Sequence, residues 1–295
     1  MSELLVVGMA YLEVFVPRDA PPEPGEERFV DGIGLGLGGA FNTASVAAAL
    51  GLQVTLCVPM GRGIADHAVA LFAQRLGITL HALPARDDPA ISLVYADARE
   101  RAFLSAADFD ALDRVQELPA ASWVHVPGLE EASRLAAPLA RARRAGARIA
   151  VSGSWAPHQL ARLAAHRDCR WDLLVLNEKE ARAACNDVAS APQRLANAAR
   201  SVVVTLGAAG AFGQLDGSAV RIAAAAVEAV DTTGAGDAFC GGLLAALIRG
   251  APPEPALRHA SRTAAAILKQ RGGLLDDPVR MSALSAMAEE MKWKS

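Results

Sequence analysis

The sequence predicts an α/β fold, a three-layer αβα sandwich on a mainly parallel sheet with a small β-sheet lid, and three observations carry that prediction. Apolar runs of strand length recur at 4–7, 54–58, 123–126, 149–151, 173–176 and 202–206, as buried parallel strands require. Helical spacing fills 42–50, 66–76, 131–145, 178–184, 236–248, 254–270 and 278–291, enough to cover both faces of such a sheet. Hydrophobic residues make up 52% of the 295 and charged residues 21%, so the chain can bury a core large enough to repay its ordering entropy.

Two segments break the alternation. A Pro- and Glu-rich stretch spans 17–28, and 89–106 alternates Ile91, Leu93 and Tyr95 with Ala102 and Leu104 about a turn at Asp97, Ala98, Arg99 and Glu100. The second reads as a β-hairpin. Together, 12–37 and 89–106 are expected to form a small sheet that covers a cleft, the competing reading being two surface loops. No repeat or low-complexity linker divides the chain, so 1–295 is expected to be one domain.

Composition excludes several functions. The formal net charge is -3 and no Lys/Arg stripe is present, which leaves no electrostatic footprint for nucleic acid. Cys57, Cys169, Cys185 and Cys240 follow no disulfide or zinc spacing, as expected of reduced thiols. Residues 1–7 lack a basic, cleavable leader, and the most apolar stretch, 44–58, is interrupted by Gly51, Gln53 and Thr55. A cytoplasmic protein with no membrane partner is the expectation. Gly34, Gly36 and Gly39 satisfy G-x-G-x-x-G, but they do not follow the first strand as a dinucleotide fingerprint must. There is no G-x-x-x-x-G-K-[ST], and the six histidines are scattered, so none is read as catalytic or metal-ligating.

The chemistry is concentrated at Asp231, Thr232, Thr233, Gly234, Ala235, Gly236 and Asp237, which run directly into an apolar helix. Gly234 and Gly236 let backbone amides converge where that helix begins, and the helix dipole adds positive potential there. Such a turn cradles an anion and stabilises a migrating phosphoryl group without reorganising. Asp237 sits within the turn, placed to accept a proton from an attacking hydroxyl. Alone, it reads first as a helix N-terminal acid.

The whole string closely resembles the ribokinase family, the PfkB-type carbohydrate kinases, whose signature D-T-x-G-A-G-D precedes a helix near the C-terminus. The resemblance implies that Asp237 is the catalytic base, that Gly234, Ala235 and Gly236 form the anion hole, and that ATP with Mg²⁺ supplies the phosphoryl group. It also places a monovalent cation, K⁺, near Asp231, Thr233 and the turn containing Gly272. Thr205, Gly207 and Gly210 are similar to the family's T-x-G-x-x-G nucleotide turn, and read independently they are a tight turn into a hairpin. Asn177 and Glu180 resemble its N-x-x-E motif, which organises Mg²⁺-bound phosphates. The same pair also reads as a capping box.

On the acceptor side, Gly38 and Gly39, a spacer of Ala40 and Phe41, and Asn42 before an Ala-rich helix resemble the family's first signature, with a spacer one residue shorter than the common one. Glu13 stands where the family places an Asp that accepts hydrogen bonds from substrate hydroxyls. The longer side chain implies an altered or smaller acceptor or a differently set backbone, the alternative being an exposed charge at a strand end. Tyr11 and Phe41 read as an apolar wall or as core.

The resemblance implies an ATP-dependent kinase acting on a hydroxyl of a small sugar or polyol, and a homodimer joined through the lid. A nucleoside kinase of the same family, with Tyr95 or Phe103 as the stacking aromatic, is one alternative. A non-catalytic sugar or nucleotide sensor that keeps the fold is another.

Overall fold

The computed structural model describes residues 2–17, 22–96, 101–166, 170–228, 230, 232–269 and 278–290. Its strands are β1 (Ser2–Val7), β2 (Ala10–Pro17), β3 (Gly34–Gly39), β4 (Val54–Met60), β5 (Thr79–Pro84), β6 (Ala90–Ala96), β7 (Arg101–Ala107), β8 (Ala121–Val126), β9 (Arg148–Ser152), β10 (Trp171–Asn177), β11 (Ala199–Thr205), β12 (Ala211–Leu215) and β13 (Ser218–Ile222). Its α-helices are α1 (Ala40–Ala49), α2 (Ile64–Arg75), α3 (Asp110–Asp113), α4 (Leu129–Arg134), α5 (Ala136–Arg144), α6 (Pro157–Arg162), α7 (Glu178–Cys185), α8 (Ala191–Arg194), α9 (Ala235–Ile248), α10 (Pro253–Ile267) and α11 (Pro278–Glu290).

The large sheet runs β13-β12-β11-β10-β9-β8-β1-β4-β5. It is parallel from β5 to β11, and β12 and β13 close that edge as an antiparallel hairpin. Side chains alternate between two cores: Leu4 and Val6 face one with α1, α9 and α10, while Leu5 and Val7 face the other with α4 to α8. Covering both faces is what makes these strands continuous apolar runs. The strand order reverses direction between β1 and β8, and in an open parallel sheet the crevice at such a switch point is where ligands bind.

The lid is a second sheet, β3-β2-β6-β7, in which β2 pairs with β3 antiparallel and with β6 parallel. It springs from that switch point, because β2 follows β1 after only Gly8 and Met9. The expected hairpin at 89–106 is present as β6 and β7, and its turn, 97–100, lies outside the described residues. Gly34, Gly36 and Gly39 all belong to lid strand β3, consistent with setting the dinucleotide fingerprint aside.

Two expectations are corrected. The single helix expected over 131–145 is two, α4 and α5, because Pro138 has no N–H to bond the carbonyl of Arg134 and its ring would clash there. Strand β5, an exposed edge whose residues are mostly half-buried or exposed, was not expected from apolar runs. Among the described residues no helix is long and apolar enough to cross a membrane.

Candidate active site

Helix α9 carries the centre of the site, and its own glycines fix where it lies. A Cβ at Gly241 would press on Val46 of α1, and one at Gly242 on Thr263 of α10. These two positions let α9 sit close between two helices, with every residue from Ala238 to Ala246 buried. The N-terminus of α9 is thereby held against α1. There Asn42 Nδ2 donates to Asp237 Oδ2 at 2.9 Å, joining residues 195 apart in the sequence.

The helix opens on Gly234 in the left-handed region, φ 71° and ψ 2°, with no side-chain cap. Ala238 N–H bonds Gly234 O at 2.8 Å, so the amides of Gly236 and Asp237 precede the first intrahelical bond of that register and face out of the helix end. A Cβ at Gly236 would meet nothing within 4 Å, which marks open space over the turn. Amides facing open space at a positive helix end are the geometry that an anion cradle at 234–236 requires. Thr233 is buried behind the turn. Asp231 and Gly272 lie outside the described residues.

Burial pushes the Asp237 carboxyl up to about 6 against the opposing hydrogen bond from Asn42. Glu180 is also raised, first by burial and then by the neighbouring Asp237 carboxylate. Buried Cys240, one turn beyond Asp237, is raised too, chiefly by desolvation, with both carboxylates adding to it and a hydrogen bond from Ser152 opposing. Asp237, Glu180, Cys240 and Ser152 therefore share one neighbourhood at the carboxyl ends of β9 and β10.

Glu180 is held from two sides. Its Oε2 accepts the Asn177 N–H at 2.9 Å while Asn177 Oδ1 accepts the Glu180 N–H at 2.8 Å, so the capping box expected as one reading of this pair is formed. On its other side it packs against Gly153, where any Cβ would collide with the carboxylate. Among the described residues no group of three or more His, Cys, Asp or Glu could hold a metal ion. A cation here would draw on Glu180 beside Asn177 and complete its shell with water or phosphate oxygen, which suits Mg²⁺.

The acceptor side is built by the lid. Glu13, on β2, is 7% exposed, which removes the reading of it as an exposed charge. Its carboxylate fills the space a side chain at Gly38 would need, and a Cβ at Gly39, φ 64°, would strike Met9 O and the Tyr11 ring. The glycine pair thus makes room for the protein's own groups. Phe41 is fully buried and belongs to the core. Tyr11 is partly buried, and its hydroxyl is raised by burial and by the carboxylates of Glu131 and Glu13. Asn42 is 5% exposed, and its Oδ1 has no hydrogen-bond partner among the described residues. A buried acceptor left unpaired costs about 1–3 kcal/mol, which a donor supplied by a ligand would recover.

Thr205 pairs with Asn177 across β11 and β10, which sets the Thr205 turn beside the capping box. Gly207 takes φ 57° over open space, whereas a Cβ at Gly210, φ 95°, would collide with Ile222 O of the following hairpin. Gly210 therefore serves the turn itself.

The structure joins Asp237 to Asn42, brings Glu180 near Asp237, and seats Glu13 on Gly38. Sequence reasoning missed Glu131, Ser152, Gly153, Cys240 and the Gly241 and Gly242 pair. A double glycine inside an apolar helix was the one signal available, since in a helix it marks close packing. Buried Glu131 gave none: its carboxyl is raised by burial and accepts from the Met9 backbone, a contact set by the fold.

Compared with known proteins, residues 1–280 match the family model described as pfkB family carbohydrate kinase. A ribokinase of Haemophilus influenzae is 36% identical over 84 residues, 28% of this chain and 28% of that protein, so the matched segment spans under a third of the relative's length. The solved adenosine kinase of Sinorhizobium meliloti superposes with a TM-score of 0.78 at 18% identity, covering 97% of this chain and 99% of that one. The Arabidopsis thaliana ribokinase complexed with ribose and ATP superposes with a TM-score of 0.72 at 18% identity, covering 99% of each. At these identities the structural likeness speaks for the fold.

Proposed function

Because the chain belongs to the pfkB family of carbohydrate kinases, we propose that it transfers the γ-phosphoryl group of ATP to a hydroxyl of a small sugar or polyol. One observation carries this reading. The Asp237 carboxylate stands at an open helix end, hydrogen-bonded to an Asn42 amide whose own oxygen lacks a donor among the described residues. An alcohol that gives one hydroxyl hydrogen to Asn42 Oδ1 satisfies that oxygen and brings a hydroxyl to Asp237. Asp237 takes the proton of the attacking hydroxyl as its oxygen bonds to the γ-phosphorus and the bond from that phosphorus to the bridging oxygen breaks, ADP leaving with the electron pair. The outward amides of Gly236 and Asp237, with the turn at Gly234 and Ala235, stabilise the charge on the transferring group. ATP with Mg²⁺ supplies the phosphoryl group and screens its charge. Glu180 and Asn177 would hold the metal-bound phosphates, and Thr205 and Gly207 would flank the nucleotide.

The carboxylates of Glu13 and Glu131 lie near Tyr11 and the Asn42 oxygen lacks a donor among the described residues, an acidic surround that suits a ligand rich in hydroxyl donors and disfavours one that already carries a phosphate. The relative's name, ribokinase, supports a sugar. A nucleoside is the second reading, favoured by Phe103, which is 55% exposed on lid strand β7 and available to stack on a base. Ile33, Leu35 and Leu104 are exposed on or beside the same sheet, which supports a homodimer that covers the lid.

The test is a coupled ADP-release screen against sugars, polyols and nucleosides with Mg²⁺, with and without K⁺. The expected result is ADP release that depends on a sugar or polyol, with K⁺ raising the rate if the cation sits beside Thr233. Release only with nucleosides would select the second reading, and none across a broad panel would contradict both in favour of a sensor.

A further inference from the structure

Trp155 is 56% exposed, while Trp123 and Trp171 are buried. It lies just past the carboxyl end of β9, two residues after the Gly153 that accommodates the Glu180 carboxylate. Lys179 Nζ lies 4.1 Å from the centroid of its ring. Lys179 is the second residue of α7, between the two members of the capping box, and its charge favours the ionised form of Glu180. The preceding Glu178 is engaged by Arg182 at 2.9 Å, one turn along the same helix. An exposed indole and an exposed ammonium are thus stacked together at the rim of the Asp237 and Glu180 site.

A flexible lysine ordinarily samples many rotamers, and an aromatic face restricts them while leaving the remaining N–H groups free to donate. Phosphoryl transfer is governed by positioned positive charge, and the two carboxylates already make this site acidic. We propose that Lys179 contacts the β- or γ-phosphate of the bound nucleotide, and that Trp155 is a positioning residue that holds its ammonium at the rim before the nucleotide arrives. This inference rests on reading the site as a kinase centre.

The test compares the full-length wild type with Lys179→Met, Lys179→Arg and Trp155→Ala, following ATP and AMP binding without acceptor by calorimetry and tryptophan emission. Lys179→Met is expected to weaken ATP binding by about tenfold or more, the value of a lost charge-assisted contact. It should leave the binding of AMP, which lacks both outer phosphates, and the acceptor KM within about twofold, with Lys179→Arg restoring most of the ATP affinity. Trp155→Ala should weaken ATP binding less and abolish the ATP-dependent change in emission. Wild-type ATP affinity in Lys179→Met, or equal losses for ATP and AMP, would overturn the role of Lys179 and leave the kinase reading standing. A wild type that binds no ATP would overturn both.

Discussion

Helices α2 and α9 begin with the same pattern, glycine at the N-cap and aspartate three residues on, and they use it in opposite ways. At α2, Gly63 is extended, φ -79° and ψ -175°, and Asp66 Oδ2 folds back to accept the Gly63 N–H at 2.8 Å and the Asp88 N–H at 3.0 Å. At α9, Gly234 is left-handed, which turns the cap out of that geometry, and Asp237 accepts instead from Asn42 of a different helix. Helix α7 does what α2 does, with Glu180 closed onto Asn177. An acid in this position is therefore an ordinary helix cap by default. One glycine conformation and one partner from another helix keep Asp237 from closing onto its own helix, as the role proposed for it requires.

Gly234→Ala should break the contrast most severely. A side chain in the left-handed region costs roughly 1–2 kcal/mol, which presses the cap toward the extended form seen at Gly63. Asp237 then folds onto its own helix and the outward amides are misdirected, so kcat should fall by about 10²–10³, the cost of losing such donors. A kcat within a few-fold of wild type would show that the left-handed cap is dispensable.

Asp66→Ala, at the closed counterpart, should cost about 1–3 kcal/mol of unfolding free energy by denaturant titration, since two half-buried amides lose a charged acceptor. The kcat should not change, and a large loss of rate there would mean that the two helix starts do not differ in function.

Asn42→Ala should act on the titration of Asp237. The carboxylate must be ionised to act as a base, so activity should rise with pH through a midpoint near 6. Removing the hydrogen bond that favours the ionised form should move that midpoint upward by about half to one unit, alongside a raised acceptor KM. Because the folded value lies above the ordinary Asp value of 3.8, the same group contributes stability that is lost as pH rises through about 6. A midpoint unmoved by Asn42→Ala would detach Asn42 from the base.

The Asp237 turn was legible because its chemistry is local: the glycines, the acid and the helix they open are contiguous. The main sheet was legible because strands buried on both faces are unbroken apolar runs. Strand β5 was not, since an edge strand with few buried residues carries no such pattern, and the division at Pro138 yields to a helical period unless the missing N–H is counted. The Asn42 to Asp237 contact spans most of the chain and depends on glycines that let α9 pack against α1, so no local motif reports it. The Lys179 and Trp155 pair was invisible for the same reason, as strand and helix bring together residues that are unremarkable in isolation.

The account turns on the freedom of one carboxylate, and Asp237→Asn tests it with the smallest change in shape. The variant should keep the wild-type unfolding transition and its affinity for ATP while single-turnover phosphoryl transfer falls by about 10²–10⁴, the range typical of a lost general base. Transfer at a rate close to wild type, in a variant that binds ATP normally, would contradict the assignment of Asp237 as the base.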